Sequence, residues 1–128
     1  MRIDTLKKIA ILLAVTGIAL GALAAHSLEK ILTPEKILSF QTGVRYQMYH
    51  AISILFLCLN FEKFNQNLNK SLTIMIIGVL SFSLSIYLLS LQEVLSLELG
   101  FLGPTTPIGG LLMMVGWTSL IFNIKKDH

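Results

Sequence analysis

Cysteine is nearly absent. Cys58 stands alone among 128 residues, so neither an intrachain disulfide nor a zinc site built on paired cysteines can form. In the middle of an apolar run, that thiol reads as a small buried filler. Charge is also scarce: 13% of residues are Asp, Glu, Lys or Arg, against about a quarter in an ordinary soluble domain. No Asp or Glu falls inside any long apolar run, which removes the acid that would orient a serine–base pair there and the carboxylates that would complete a metal set. The formal charge of +3 and pI near 9.2 come without a basic stripe, so a nucleic-acid surface is not indicated. No alternating strand pattern suggests a barrel.

Long apolar runs are what remains. Residues 9–25 and 72–91 carry no charge, nor do residues 107–124, while 44–61 holds Arg45 and His50. At 1.5 Å per residue, about 20 residues cross a hydrocarbon core of roughly 30 Å. The mean hydropathy of +0.74 agrees with a chain solvated by lipid. A backbone in lipid must satisfy its own amides, so the spans are helices. The expected fold is all-α: one domain over 1–128, an integral membrane four-helix bundle with spans near 9–25, 44–61, 72–91 and 107–124.

Met1–Lys8 is basic and Ala22-Leu23-Ala24 resembles a signal-peptidase site. The apolar stretch is long for a signal core, however, and Gly17, Gly21 and Ala25 form a small-residue stripe suited to helix packing. We therefore expect a retained first span. With four spans, both termini and the middle loop share one side. That side holds Arg2, Lys7, Lys8, Lys63, Lys70, Lys125 and Lys126, against Lys30, Lys36 and Arg45 opposite. The excess places both termini in the cytoplasm.

Thr33-Pro34-Glu35-Lys36 reads as a helix start, with a hydroxyl cap, proline at the first helical position and an acid in the first turn. With Ile37, Leu38 and Phe40 it predicts a short amphipathic helix in the interface between spans one and two, bending at Gly43 into span two. Between spans three and four, Gly103-Pro104-Thr105-Thr106-Pro107 precedes a helix expected to start near Pro107, capped by the threonines. Gly109 and Gly110 would then admit another helix closely. Trp117, deep in span four, reads as packing.

Span two opens on the densest polar stretch, Gln41-Thr42-Gly43-Val44-Arg45-Tyr46-Gln47-Met48-Tyr49-His50. At 100° per residue, Gly43, Tyr46, Gln47 and His50 share one face, expected to point into the bundle; Thr42, Arg45 and Tyr49 share the next. Arg45, near the outer end, can snorkel to reach headgroups, Glu29 or a loop carbonyl. His50 is too deep for that, and an ionisable side chain at such depth is a site hypothesis by default. The structural alternative is a neutral imidazole bonded to a hydroxyl or carbonyl of a neighbouring helix. His26 ends span one at the same surface, and two histidines could ligate haem. An edge position for one and a deep position for the other argue against it, and we expect neither cofactor nor metal. Partners for Tyr46, Gln47 and His50 are expected among His26, Ser81, Ser85 and Thr105–Thr106. Ser81 and Ser85, four apart, also mark a close helix contact.

Four blocks of the chain resemble a known group. They are Gly21–His26, then Phe40–Ala51 with the whole polar stretch, then Phe82–Tyr87, and finally Thr106–Gly110 with Gly116-Trp117. The chain is similar, from about Thr16 to Phe122, to the YgdD-like family of small bacterial membrane proteins, which has eukaryotic relatives and no assigned function. Ala24 and Leu84 stand where that family usually has glycine, and Leu84 argues against a very close helix approach at that point. The resemblance implies four spans in a bacterial inner membrane and an uncleaved first span. It supplies no activity, substrate or catalytic residue, but it draws attention to the same positions: His26, Gln41, Arg45, Tyr46, Gln47, Tyr49 and His50.

Three roles are compatible with these residues. The first is a structural or interaction protein, not an enzyme, that packs in the bilayer with itself or with a larger membrane complex. The second is a module that binds or transports a small ligand, lipid, quinone or proton along the His50 face. The third is a haem protein using His26 and His50. The minimal loops, the small-residue stripes and the missing catalytic set favour the first.

Overall fold

The structure, a computed structural model, describes residues 1–126, so the domain expected over 1–128 runs two residues past those described. Four α-helices follow one another: α1 Ile3–His26, α2 Pro34–Leu59, α3 Leu68–Leu91 and α4 Thr105–Leu120. Short 3-10 turns lie at Leu28–Lys30, Phe61–Lys63 and Gly100–Leu102. Among the described residues there is no β-strand, only an isolated antiparallel bridge between Phe64 and Ile124.

The buried positions explain how the helices pair. α1 buries Leu6, Ala10, Leu13, Gly17 and Ala24, and α2 buries Phe40, Gly43, Gln47, His50, Ala51, Ile54, Leu57 and Cys58. Steps of three and four dominate both sets and give each helix a buried seam, which widens on α2 at Ala51 and Cys58. α3 carries two such seams. Val79, Ser83 and Tyr87 turn toward α1 and α2, while Met75, Gly78 and Phe82 meet α4. Each helix packs antiparallel on its neighbour in the chain, and α1 and α4 share no seam.

Small residues lie among the inward positions, and many large apolar residues face outward. Gly17 and Ala24 face inward on α1, while Leu12 and Ile18 are 61% and 65% exposed. On α4, Gly109 and Gly116 face inward, and Ile108, Leu111 and Met114 face out. In water this surface would be an aggregation liability. In lipid it is the required arrangement, because association there rests on close backbone approach between small residues.

The closest approach is between α3 and α4. A Cβ added to Gly109 would lie 2.5 Å from the Phe82 amide nitrogen and 2.7 Å from the Gly78 carbonyl oxygen. Gly110 faces only the Phe82 ring, at 3.8 Å, so one of the two expected glycines makes the contact.

Several expectations are corrected. The separate interfacial helix does not form: the segment from Pro34 continues without a break through Gly43 to Leu59. The missing side chain at Gly43 serves packing, since a Cβ there would stand 2.7 Å from the Tyr87 ring. The Thr33 cap and the proline start are as expected, with the Lys36 amide donating to Thr33 Oγ1 at 3.4 Å. On α1 the inward residue is Ala24, and Ala25 is exposed. Seven residues return a helix to nearly the same face, whereas eight, from Gly17 to Ala25, overshoot by about 80°.

α4 begins at Thr105 with Pro104 before it and no side-chain cap, so the threonines do not cap it. Pro107 falls in the first turn, where a missing amide costs little. α4 also stops at Leu120, not Ile124. The Asn65 amide donates to the Asn123 carbonyl at 2.8 Å and the Lys125 amide to the Lys63 carbonyl at 3.0 Å, which draws the chain away from helix. Asn123 Nδ2 donates to Ser71 Oγ at 2.6 Å, and Ser119 Oγ lies 2.6 Å from the same oxygen. Two helices meet the length and hydropathy needed to cross a membrane, α1 extended to Lys30 and α3. α2 carries Glu35, Lys36 and Arg45, and α4 has 16 residues.

Candidate functional site

The polar stretch of α2 divides into an inner and an outer set. Gln47 is buried against the middle of α1. Its Nε2 donates to the Leu13 carbonyl at 2.9 Å and to Thr16 Oγ1 at 2.8 Å, and its Oε1 accepts from the Tyr87 hydroxyl at 2.7 Å. Thr16 passes its own proton to the Leu12 carbonyl at 2.8 Å. One amide thus joins α1, α2 and α3. Tyr87 reaches it by lying across Gly43, with its ring centroid 4.7 Å from that of Phe40.

His50 makes the next link. Trp117 Nε1 donates to His50 Nε2 at 3.1 Å, and His50 Nδ1 lies 2.8 Å from the Tyr46 carbonyl oxygen. An indole N–H can only donate, so Nε2 carries the lone pair and the proton sits on Nδ1. The ring is a neutral imidazole with both nitrogens engaged, tying α2 to α4.

Serines supply the remaining ties. Ser83 Oγ donates to the Gly43 carbonyl at 2.8 Å, and Ser85 and Thr106 hydroxyls lie 2.6 Å apart. Among the described residues, every buried side-chain nitrogen and oxygen has a hydrogen-bond partner.

The expected partners of His50 are therefore replaced. Ser85 and Thr106 bond each other, Ser81 is half-buried, and Trp117, read from sequence as packing, is the residue that reaches the imidazole. Ser83, not Ser81, stands on the seam toward α2. His26 is exposed at the end of α1. Ala24, two residues before it, clusters with Phe40, about 15 Å along α2 from His50 at 1.5 Å per residue. The two histidines do not meet as a ligand pair. Among the described residues no group of three or more His, Cys, Asp or Glu side chains could hold a metal ion.

The outer set does not turn inward. Tyr46 is exposed at the rim, its ring 4.9 Å from Phe82 and 5.9 Å from Tyr49. Tyr49 and Arg45 are exposed and Gln41 is half-buried. Arg45 Nη2 donates to Thr42 Oγ1 at 3.0 Å. Thr16, Tyr87, Trp117 and Asn123 were not singled out as site residues from sequence. Thr16 and Trp117 lie within apolar runs, where position alone does not tell a bonded side chain from a packed one.

A cleft of about 380 Å³ opens between α1 and α3. Its walls are Leu13, Ala19, Leu20, Val79, Leu80 and Leu84, with Gln47, Thr16 and Ser83 also lining it. Leu84 stands exposed on this cleft rather than at a tight contact, as its bulk implied.

Four helices with many large apolar residues on their outer surface and neutral polar ties between them fit a membrane protein. The chain belongs to the family described as "Protein of unknown function (DUF423)", whose model matches residues 20–110. It is 36% identical over 119 residues to a UPF0382 membrane protein of Haemophilus influenzae, covering 91% of this chain and 92% of that one. Bacillus subtilis YwdK, another UPF0382 membrane protein, is 29% identical over 115 residues, 88% of this chain and 89% of its own. A Schizosaccharomyces pombe UPF0382 membrane protein is 31% identical over 118 residues, 91% and 98% of the two chains. No solved structure matches the chain. The resemblance read from the four blocks thus holds at the level of a membrane-protein family of unknown function.

Proposed function

We propose that this chain is a YgdD-like member of that family which crosses a bacterial inner membrane four times with both termini in the cytoplasm, and that it acts as a structural or interaction component rather than an enzyme. It packs with itself or against a larger membrane complex. The carrying observation is the closure of the inner polar set: Gln47 and His50 direct their hydrogen-bonding atoms to Leu13, Thr16, Tyr87, Tyr46 and Trp117. A ligand or proton path would need to open these bonds. The large apolar residues exposed on α1 and α4 support the four spans, and the uneven distribution of basic residues supports their orientation. α2 is long enough at about 39 Å, and α4 at about 24 Å crosses with help from its flanking turns.

The α1–α3 cleft supports a second reading, a module that holds a small apolar molecule or lipid chain beside Gln47. Extraction in mild detergent, followed by mass spectrometry of co-purified proteins and lipids, separates the two. The first reading expects a stoichiometric membrane protein or a homo-oligomer. A single small molecule retained by a monomer would overturn it. A reporter fused to the C-terminus should behave as cytoplasmic, and a periplasmic signal would overturn the orientation.

A further inference from the structure

Arg45 stands apart from the inner set. It lies about 17 Å along α2 beyond Pro34, at 1.5 Å per residue, on a face where Thr42 is half-buried and Tyr49, Ile52 and Phe56 are exposed. Its guanidinium has five N–H donors, and among the described residues the structure gives it one acceptor, Thr42 Oγ1 at 3.0 Å. That oxygen is held in place because the Thr42 hydroxyl donates to the Leu38 carbonyl at 2.9 Å. Thr42 lies one turn nearer Pro34, so the arginine head runs toward the membrane surface at that end, as helical side chains lean.

The surroundings are those of a phospholipid. Tyr46 and Tyr49, set edge to face at 5.9 Å, follow Arg45 on α2 and are both exposed; tyrosine is the residue type that gathers at headgroup level. Further along the same face, Ile52 and Phe56 are both 63% exposed, an apolar track in line with the head. A cation with unfilled donors in lipid is costly unless an acceptor reaches it. A phosphodiester offers paired oxygens that match the guanidinium fork.

We infer that Arg45, held toward the surface by Thr42, forms with Tyr49 a binding site for the phosphate of a phospholipid in the leaflet that meets the Pro34 end of α2, its acyl chains lying along Ile52 and Phe56. This rests on the proposal that α2 spans the membrane. A carboxylate on a partner membrane protein is the competing occupant; the direction of the arginine head toward the surface favours the lipid.

The test is native mass spectrometry of delipidated protein in detergent, titrated with dioleoyl phosphatidylglycerol or with dioleoylglycerol, which lacks the phosphate. The wild type should prefer the phospholipid. Arg45→Gln should weaken its binding by about tenfold or more, the loss expected for a hydrogen bond to a charged group. Arg45→Lys should fall between, keeping the charge and losing the fork, and Lys8→Gln should match the wild type. A folded Arg45→Gln that binds the phospholipid as well as wild type would overturn the proposal. So would a wild type that does not distinguish the two lipids, or an Arg45→Gln that loses self-association with lipid affinity unchanged. Failure of both Arg45 variants to fold would overturn it too, since an arginine serving only an external lipid is dispensable to the fold. Binding in detergent does not depend on orientation, so a contrary reporter-fusion result and a lost lipid site are separate outcomes.

Discussion

The indole of Trp117 and the imidazole of His50 meet at 3.1 Å, joining two helices that otherwise pack through α3. Removing the donor leaves His50 Nε2 bare in an apolar setting. Trp117→Phe should therefore destabilise the protein by about 1–3 kcal/mol, the cost of an unpaired buried acceptor. In a double-mutant cycle with His50→Leu the two losses should not add, because both remove the same bond. Thermal unfolding in one detergent measures all four proteins, and additive losses would show that the bond contributes nothing.

Gln47 anchors three helices through one amide. Gln47→Leu strands the Tyr87 hydroxyl at the seam between α2 and α3. We expect a loss of about 2–3 kcal/mol, with most recovered in Gln47→Leu combined with Tyr87→Phe, which removes both partners of that bond. Unfolding midpoints of the single and double variants check this.

The glycines should rank by what a new Cβ meets. Gly109→Ala drives a methyl into the backbone of Gly78 and Phe82, atoms that cannot yield, and should cost about 3 kcal/mol or part the helices. Gly17→Ala meets the flexible Met48 side chain at 2.6 Å, and Gly21→Ala meets Val44 at an ordinary 3.4 Å. The order of melting temperatures should be Gly110→Ala and Gly21→Ala highest, Gly17→Ala below them, and Gly109→Ala lowest.

The clasp at the end of α4 gives a fourth expectation. Asn123 is buried and donates to Ser71, while its main chain pairs with Asn65. Asn123→Ala should loosen the end of α4 by about 1–2 kcal/mol, since it leaves the Ser71–Ser119 pair without its third member. Amide hydrogen exchange should quicken first at the end of α4, and uniform exchange along α4 would argue against a local clasp.

Helix positions were legible because lipid leaves little choice: an apolar run must satisfy its own amides, and Thr33-Pro34 announced where α2 begins. The inward turn of Gln47 and His50 followed from the cost of polar groups in lipid. Their partners did not follow, because partner choice depends on helix register. Seam drift moved the buried small residue from Ala25 to Ala24 and the bonded serine from Ser81 to Ser83. Gly43 permits both a bend and a close approach, and only the position of Tyr87 decides between them. The end of α4 was hidden for a related reason: Asn123 pairs with residues more than fifty positions away in sequence.

The account stands on the inner polar set serving as a lock between helices. The most direct test compares His50→Leu with wild type for melting temperature and, at matched folded fraction, for the lipids and proteins that co-purify, identified by mass spectrometry. A lock predicts a lower melting temperature with an unchanged set of co-purified species. An unchanged melting temperature with a bound species lost would make His50 a ligand site and contradict the account.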